Sequence, residues 1–201
     1  MTAVTVADVH VDWVELDRIL VEHGVQLQLL AYLAATRHWP DLQKTFGVPS
    51  MIPAGVFYVN LRGQYEHGHT RTEALADTEI ARNRAYRHSG RFDTGALSHL
   101  DRLAAADQFN YKLNKDGSLR ANSTEALPHG EFEALLDRVE VRLLEMGRSI
   151  FSGIAQVDPY RKGQETPCEF CDYRAACRID PWTHKYRSLR AAAKETAGLK
   201  E

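Results

Sequence analysis

Three cysteines, Cys168, Cys171 and Cys177, form a C-x2-C-x5-C run directly after Thr166-Pro167. Two thiolates separated by two residues can wrap one metal centre, and a third arriving on the next stretch of chain adds a third corner. Thiolates suit zinc or an iron–sulfur cluster, and either site wants four protein ligands. The chain has only these three cysteines, so the fourth ligand is absent or is not cysteine, and His184 is the nearest substitute for a zinc site. The metal-free alternative is three reduced, buried thiols. A second pair with chemical capacity is Gln28 and Tyr32. Their i, i+4 spacing puts an amide and a phenol on one helix face, where both can touch a phosphate or orient a catalytic group. The same spacing also suits the border between core and surface. Arg161, Lys162, Arg174, Arg178, Lys185 and Arg187 surround the cysteines, where a phosphate backbone or a partner surface can lie. Arg82, Arg84, Arg87 and Arg91 make a second basic block, read either as DNA contact or as a solvated helix face.

These groups need a scaffold. Residues 11–38 carry a helical pattern through Leu16, Ile19, Leu20, Leu27, Leu30, Ala31 and Ala34, with Gly24 dividing it and Trp39-Pro40 ending it. Ile52 to Leu61 is predicted as a strand rich in β-branched and aromatic residues, apolar on both faces and therefore buried on both. A charged helix is expected over 72–88 and another over 94–107, capped by Asp93 or Thr94. Tyr111 to Pro128 reads as loop or hairpin, with a turn at Lys115-Asp116-Gly117-Ser118. The firmest helix spans 129–152, where Phe132, Leu135, Leu136, Val139, Leu143, Met146 and Ile150 recur at three- and four-residue intervals. One strand among several helices is an incomplete sheet. Short strands are therefore hidden in the sequence, or the chain is part of a larger fold.

Composition narrows the class. The chain has 201 residues, 44% of them apolar, and 25 Lys+Arg against 27 Asp+Glu give a net charge of −2. It is neither a basic nucleic-acid arm nor an acidic disordered tail. The balance hides polarity along the chain: seven basic against four acidic residues give +3 over 161–190. Met1 to Asp12 has no cationic start and no long apolar run, so neither a signal peptide nor a membrane span is expected. An odd, clustered cysteine count does not describe a secreted disulfide framework, and the cytoplasm is the expected compartment.

Taken in order, these motifs resemble the C-terminal part of the AddB-type subunit of bacterial helicase–nucleases, whose nuclease domain belongs to the RecB-like branch of the PD-(D/E)XK superfamily. Gly24 to Leu33 is similar to that family's Q-x-x-x-Y helix and Pro53 to Tyr58 to the strand after it. Lys115 to Ser118 follows in the same order, and Pro159-Tyr160, Thr166-Pro167, Cys168, Cys171 and Cys177 look like its cluster-binding tail. The resemblance runs from about residue 20 to 189. It implies an α/β fold, a partial, helix-rich restriction-endonuclease-like domain over 1–160, a metal-binding tail over 161–190 and a flexible end over 191–201. It also implies a Mg²⁺-dependent nuclease acting on single-stranded DNA ends with an AddA-type helicase partner in double-strand break repair and recombination. A [4Fe–4S] cluster would be held by Cys168, Cys171 and Cys177 and one cysteine far upstream, which this chain lacks. DNA contact falls to Arg161, Lys162, Arg174 and Arg178, and Gln28 and Tyr32 become neighbours of the active site.

The family's acidic residue and D/E-x-K motif should precede the Q-x-x-x-Y helix. The first lysine of this chain is Lys44, so no D/E-x-K can be written there. Asp8-Val9-His10 stands near the expected distance, with histidine where the family has lysine, and Asp8 is either that motif's carboxylate or an ordinary exposed residue. The 201 residues alone are therefore expected not to cut DNA. Two other readings are a RecB-like nuclease of the Cas4 type of CRISPR adaptation, and a non-catalytic zinc or iron–sulfur module that docks DNA or protein. The 135 residues between Tyr32 and Cys168 are long for the first of these.

Overall fold

The computed structural model describes residues 2–10, 14–63, 70–72, 78–101, 106–120, 122–180 and 182–191. Its centre is a mixed sheet of four strands in the spatial order β1-β2-β3-β4. Strand β1 (Thr2–His10) runs parallel to β2 (Met51–Asn60), with Asp8 opposite Tyr58 and His10 opposite Asn60. Strand β3 (Ser89–Asp93) is antiparallel to β2, and β4 (Ala126–Leu127) pairs parallel with β3. Parallel neighbours need a crossover between them. Here it consists of α1 (Arg18–Glu22), α2 (Gln28–Arg37) and α3 (Leu42–Phe46).

Local chemistry sets these boundaries. The Asp17 carboxylate caps α1 by accepting the N–H groups of Ile19 and Leu20. Gly24, in the left-handed region at φ 78°, then divides α1 from α2, as the sequence predicts. The long helix is present as α6 (His129–Phe151), after α4 (Thr78–Ala85) and α5 (Leu97–Leu100). The Arg37 guanidinium clamps α2 onto α6, reaching Glu133, Asp137 and Glu140 at 3.2, 2.8 and 2.8 Å.

Strand β2 is buried on both faces, as expected. On one side Val56 and Tyr58 pack with Leu29, Leu30 and Leu33 of α2 and Phe132, Leu136 and Val139 of α6. On the other, Phe57 joins Phe92, Tyr111 and Ala126 in a second cluster. The seam along α6 changes character midway. Phe132 and Leu136 are fully buried, whereas Ile150, on the same seam, is 72% exposed.

The sheet corrects several expectations. Strands β1, β3 and β4 supply the partners that the sequence leaves hidden around β2. The helix expected over 72–88 ends at Ala85, and its residues 73–77 lie outside the described residues. Asp93 does cap the next element, a 3-10 turn (Thr94–Ala96) leading into α5, but this helix stops at Leu100 instead of 107. There the Asp101 carboxylate turns to accept the Ala106 N–H and the Tyr111 hydroxyl. Residues 102–105 are outside the described set. The expected turn at 115–118 is present, closed by the Asn114 N–H on the Ser118 carbonyl at 2.7 Å. The arginine block does not form one solvated face: Arg87 donates to the carbonyls of Ala106 and Asp107, and Arg91 lies half-buried in β3. Among the described residues no helix is long and apolar enough to cross a membrane.

The cysteine segment lies between two short parallel strands, β5 (Tyr160–Arg161) and β6 (Arg187–Ser188). It is tied to α1 and its flanking residues at two points: an ion pair between Lys162 and Asp17, and the His23 ring on the Arg190 carbonyl. Burial by itself would raise the Asp17 carboxyl, but the Lys162 ammonium and the N–H groups of Leu20 and Ile19 hold it below its ordinary value. For so open a pair, Lys162→Ala should cost about 1 kcal/mol or less of global stability. It should nonetheless speed chymotryptic cleavage at Phe170, Tyr173 and Trp182; digestion followed by mass spectrometry reads this, and an unchanged rate would mean that the pair does not anchor the tail.

Candidate functional site

Four polar side chains meet on one face at the carboxyl ends of β1 and β2. From Val4 onward the even residues of β1 are half-buried and the odd ones exposed. Asp8 and His10 therefore share the face on which Val4 and Val6 pack against the α2–α6 core. One Asp8 carboxylate oxygen lies 3.2 Å from His10 Nε2, and the other accepts the Val9 N–H at 2.9 Å. The strand register sets Tyr58 beside Asp8 and Asn60 beside His10, and the His10 and Tyr58 rings meet edge to face with centroids 5.1 Å apart. Burial, and then the Asp8 charge, raises the Tyr58 phenol. Asn60 is 1% exposed. Its Oδ1 accepts the Val14 N–H at 3.1 Å, while its Nδ2 has no partner among the described residues. A buried donor left unsatisfied is costly, and such groups gather where something else is to be bound.

This corner offers one carboxylate, one imidazole, one phenol and one free amide. Magnesium wants octahedral oxygen coordination, held through carboxylates and substrate phosphates. Among the described residues no three of His, Cys, Asp and Glu stand close enough together to hold a metal ion. The donor set at Asp8 does not by itself fit Mg²⁺.

Gln28 and Tyr32 stand on the exposed face of α2, and the Gln28 amide donates to the Tyr32 hydroxyl at 3.3 Å. The expected one-face pairing is present, and neither side chain is bonded to Asp8 among the described contacts. In the tail, Cys168 and Cys177 are half-buried and Cys171 is exposed. The Thr166 hydroxyl accepts the Cys168 N–H at 3.4 Å and caps a 3-10 turn (Pro167–Glu169), and α7 (Arg174–Cys177) carries the third cysteine. Three thiols on so short a stretch suit three corners of a cluster by type and order, and no cysteine remains for the fourth. His184, the nearest non-cysteine substitute for a zinc site, has its Nδ1 3.1 Å from the Asp180 backbone nitrogen and 3.2 Å from the Thr183 hydroxyl.

The four basic residues singled out in the tail divide into two pairs. Lys162 is joined to Asp17, and the Arg161 guanidinium sits 4.6 Å over the Tyr186 ring with its Nε buried and without a partner among the described residues. Arg174 and Arg178 are exposed and form no ion pair among the described contacts. Tyr58 and Asn60 escape sequence reasoning, although their period of two along β2 places them on one face.

A further pair also escapes it. His129, at the start of α6, bonds through Nδ1 to the buried Asp93 carboxylate at 2.7 Å. The Asp93 hydrogen bond and then its charge raise the His129 imidazole above its ordinary value. A raised folded value means that the charged pair stabilises fully below the unfolded value of about 6.5 and fades as pH rises through the folded one. The urea midpoint should therefore fall from pH 6 to pH 8.5 by an amount that His129→Gln removes. An equal fall in the variant would show that the pair contributes nothing.

The βαβ crossover, the α2 helix against its two parallel strands and the polar corner at the strand ends are the architecture of a PD-(D/E)XK nuclease domain. The model of the PD-(D/E)XK nuclease superfamily matches residues 14–178, and the chain belongs to that superfamily. Among curated relatives, the B-type subunit of the ATP-dependent helicase/deoxyribonuclease of Moorella thermoacetica is 36% identical over 173 residues, covering 83% of this chain and 14% of the relative. The subunits of the same name from Alkaliphilus metalliredigens and Listeria innocua are 27% and 30% identical, over 85% and 88% of this chain. The chain spans 14–16% of the length of these relatives.

Proposed function

We propose that this chain is the nuclease-domain segment of a helicase/deoxyribonuclease subunit of the AddB type, acting on single-stranded DNA ends beside an AddA-type helicase in break repair and recombination. The observation that carries this reading is the position of Asp8 and His10. They occupy the strand before the Gln28/Tyr32 helix, on its inward face, where the superfamily keeps its D/E-x-K motif. Asp8 would offer one carboxylate toward Mg²⁺, and His10 stands where the family has lysine. Tyr58 and Asn60 shape the same corner, and the free Asn60 amide is a donor for a phosphate or water oxygen. The remaining acidic ligand comes from outside these 201 residues, so the isolated chain does not cleave DNA.

In the same reading, Cys168, Cys171 and Cys177 would hold a [4Fe–4S] cluster, which would cross-link the chain there, with Zn²⁺ as the alternative metal. The parallel pair β5–β6 and the Lys162–Asp17 bridge support this by bracketing the cysteines and fixing them to α1. Arg174 and Arg178 face outward for phosphate contact. The test is release of acid-soluble nucleotide from end-labelled single-stranded DNA, with and without Mg²⁺. The isolated chain should release none; metal-dependent release that disappears in Asp8→Asn would overturn the incomplete centre.

A further inference from the structure

The large apolar side chains of the tail are turned outward. Trp182 is 94% exposed, Phe170 89% and Tyr173 74%, and only Phe151 among the described large apolar residues exceeds Trp182. Scattered exposed apolar residues are ordinary, but three aromatics within thirteen residues of chain are not scattered. They are interleaved with Arg174, Arg178 and Lys185, all exposed and in no ion pair among the described contacts. The loop bearing Trp182 is also built to hold it out: the Asp180 carboxylate accepts the Trp182 N–H at 2.9 Å and the Thr183 hydroxyl at 3.1 Å.

Exposed aromatic faces alternating with unpaired cations are the requirements of a single-strand nucleic-acid grip. Bases stack on the rings, which a duplex with its bases already stacked cannot do, and the cations follow the phosphates. We propose that Phe170, Tyr173 and Trp182 form a base-stacking surface that makes the tail bind single-stranded DNA in preference to duplex, with Arg174, Arg178 and Lys185 neutralising its backbone. This rests on the reading of the chain as a DNA-acting module and adds the residues that would select the strand form. It does not require cleavage, and it gives the tail a recognition role separate from its cysteines.

The test is fluorescence anisotropy of the full 201-residue chain with labelled oligothymidylate and with a duplex of equal length, in EDTA. The single strand should bind more tightly. Trp182→Ala and Phe170→Ala should each weaken it about tenfold, while Phe151→Ala, an equally exposed aromatic on α6, should not. Trp182→Phe should keep most of the affinity but lose quenching of tryptophan emission by the oligonucleotide. Wild type binding oligothymidylate with the alanine variants equal to it, or duplex bound as well as single strand, overturns the stacking surface and leaves the nuclease reading standing. Wild type that binds neither DNA overturns both, and marks the aromatic surface as a protein-docking face.

Discussion

Gly90→Ala should destabilise the chain by about 3 kcal/mol, near the upper end for forcing extra atoms into a packed core. Gly90 lies in β3 opposite Phe57 of β2, and a Cβ there would fall inside the van der Waals envelope of the Val56 carbonyl oxygen and 2.9 Å from the Phe57 ring. A flexible side chain can move aside, but a strand carbonyl cannot without breaking the ladder that holds β3 and β4 to the sheet. The contrasting substitution is Gly147→Ala. Gly147 lies inside α6 with nothing within 4 Å of the added Cβ, so alanine should stabilise by about 0.5–1 kcal/mol through helix propensity. Urea unfolding of the two variants reads both signs. A Gly90→Ala chain as stable as wild type would mean that β3 does not approach β2 this closely.

The second large effect lies on the α6 seam. Phe132 is fully buried among Leu30, Leu33 and Tyr58, so Phe132→Ala should cost about 3–5 kcal/mol through lost burial and the cavity left behind. Out of a typical domain stability of about 5–15 kcal/mol, that endangers the fold. Ile150→Ala, on the same seam eighteen residues further on, should change stability by about 0.5 kcal/mol or less. Comparable losses at the two sites would mean that the distal half of α6 is packed as well as the proximal half.

That contrast also shows what could be read in advance. The spacing from Phe132 to Ile150 reveals a helix because periodicity belongs to the element, but not which half is covered, because burial belongs to what packs on it. Strand β2 is legible because Val56, Phe57, Tyr58 and Val59 are strong strand formers with an apolar group on each face. Strand β3 is hidden because Ser89, Gly90, Arg91 and Asp93 carry almost no strand signal; it forms because glycine alone permits the close approach to β2. Strand β1 is hidden for another reason. Its alternation of Val4, Val6, Asp8 and His10 on one face ends in polar residues, so the part that matters most to the site weakens the pattern.

The same division runs through the site. Cys168, Cys171, Cys177, Gln28 and Tyr32 stand out because their spacing is local. Asp8 gains weight only when the parallel register brings Tyr58 and Asn60 beside it and His10, fifty residues away in sequence. The Asp93–His129 pair, thirty-six residues apart, leaves no local signal at all. Lys162 has the appearance of a free cation until Asp17, 145 residues earlier, is folded against it.

The most direct test of the account captures the native polypeptide from the source cells with an antibody raised to this chain, sizes it, and assays the captured material on single-stranded DNA with Mg²⁺ and with a chelator. A polypeptide well above 22.7 kDa that releases nucleotides only with Mg²⁺, while the purified 201-residue chain releases none, is the predicted result. A captured product of 22.7 kDa without nuclease activity, or cleavage by the 201 residues alone, would contradict it.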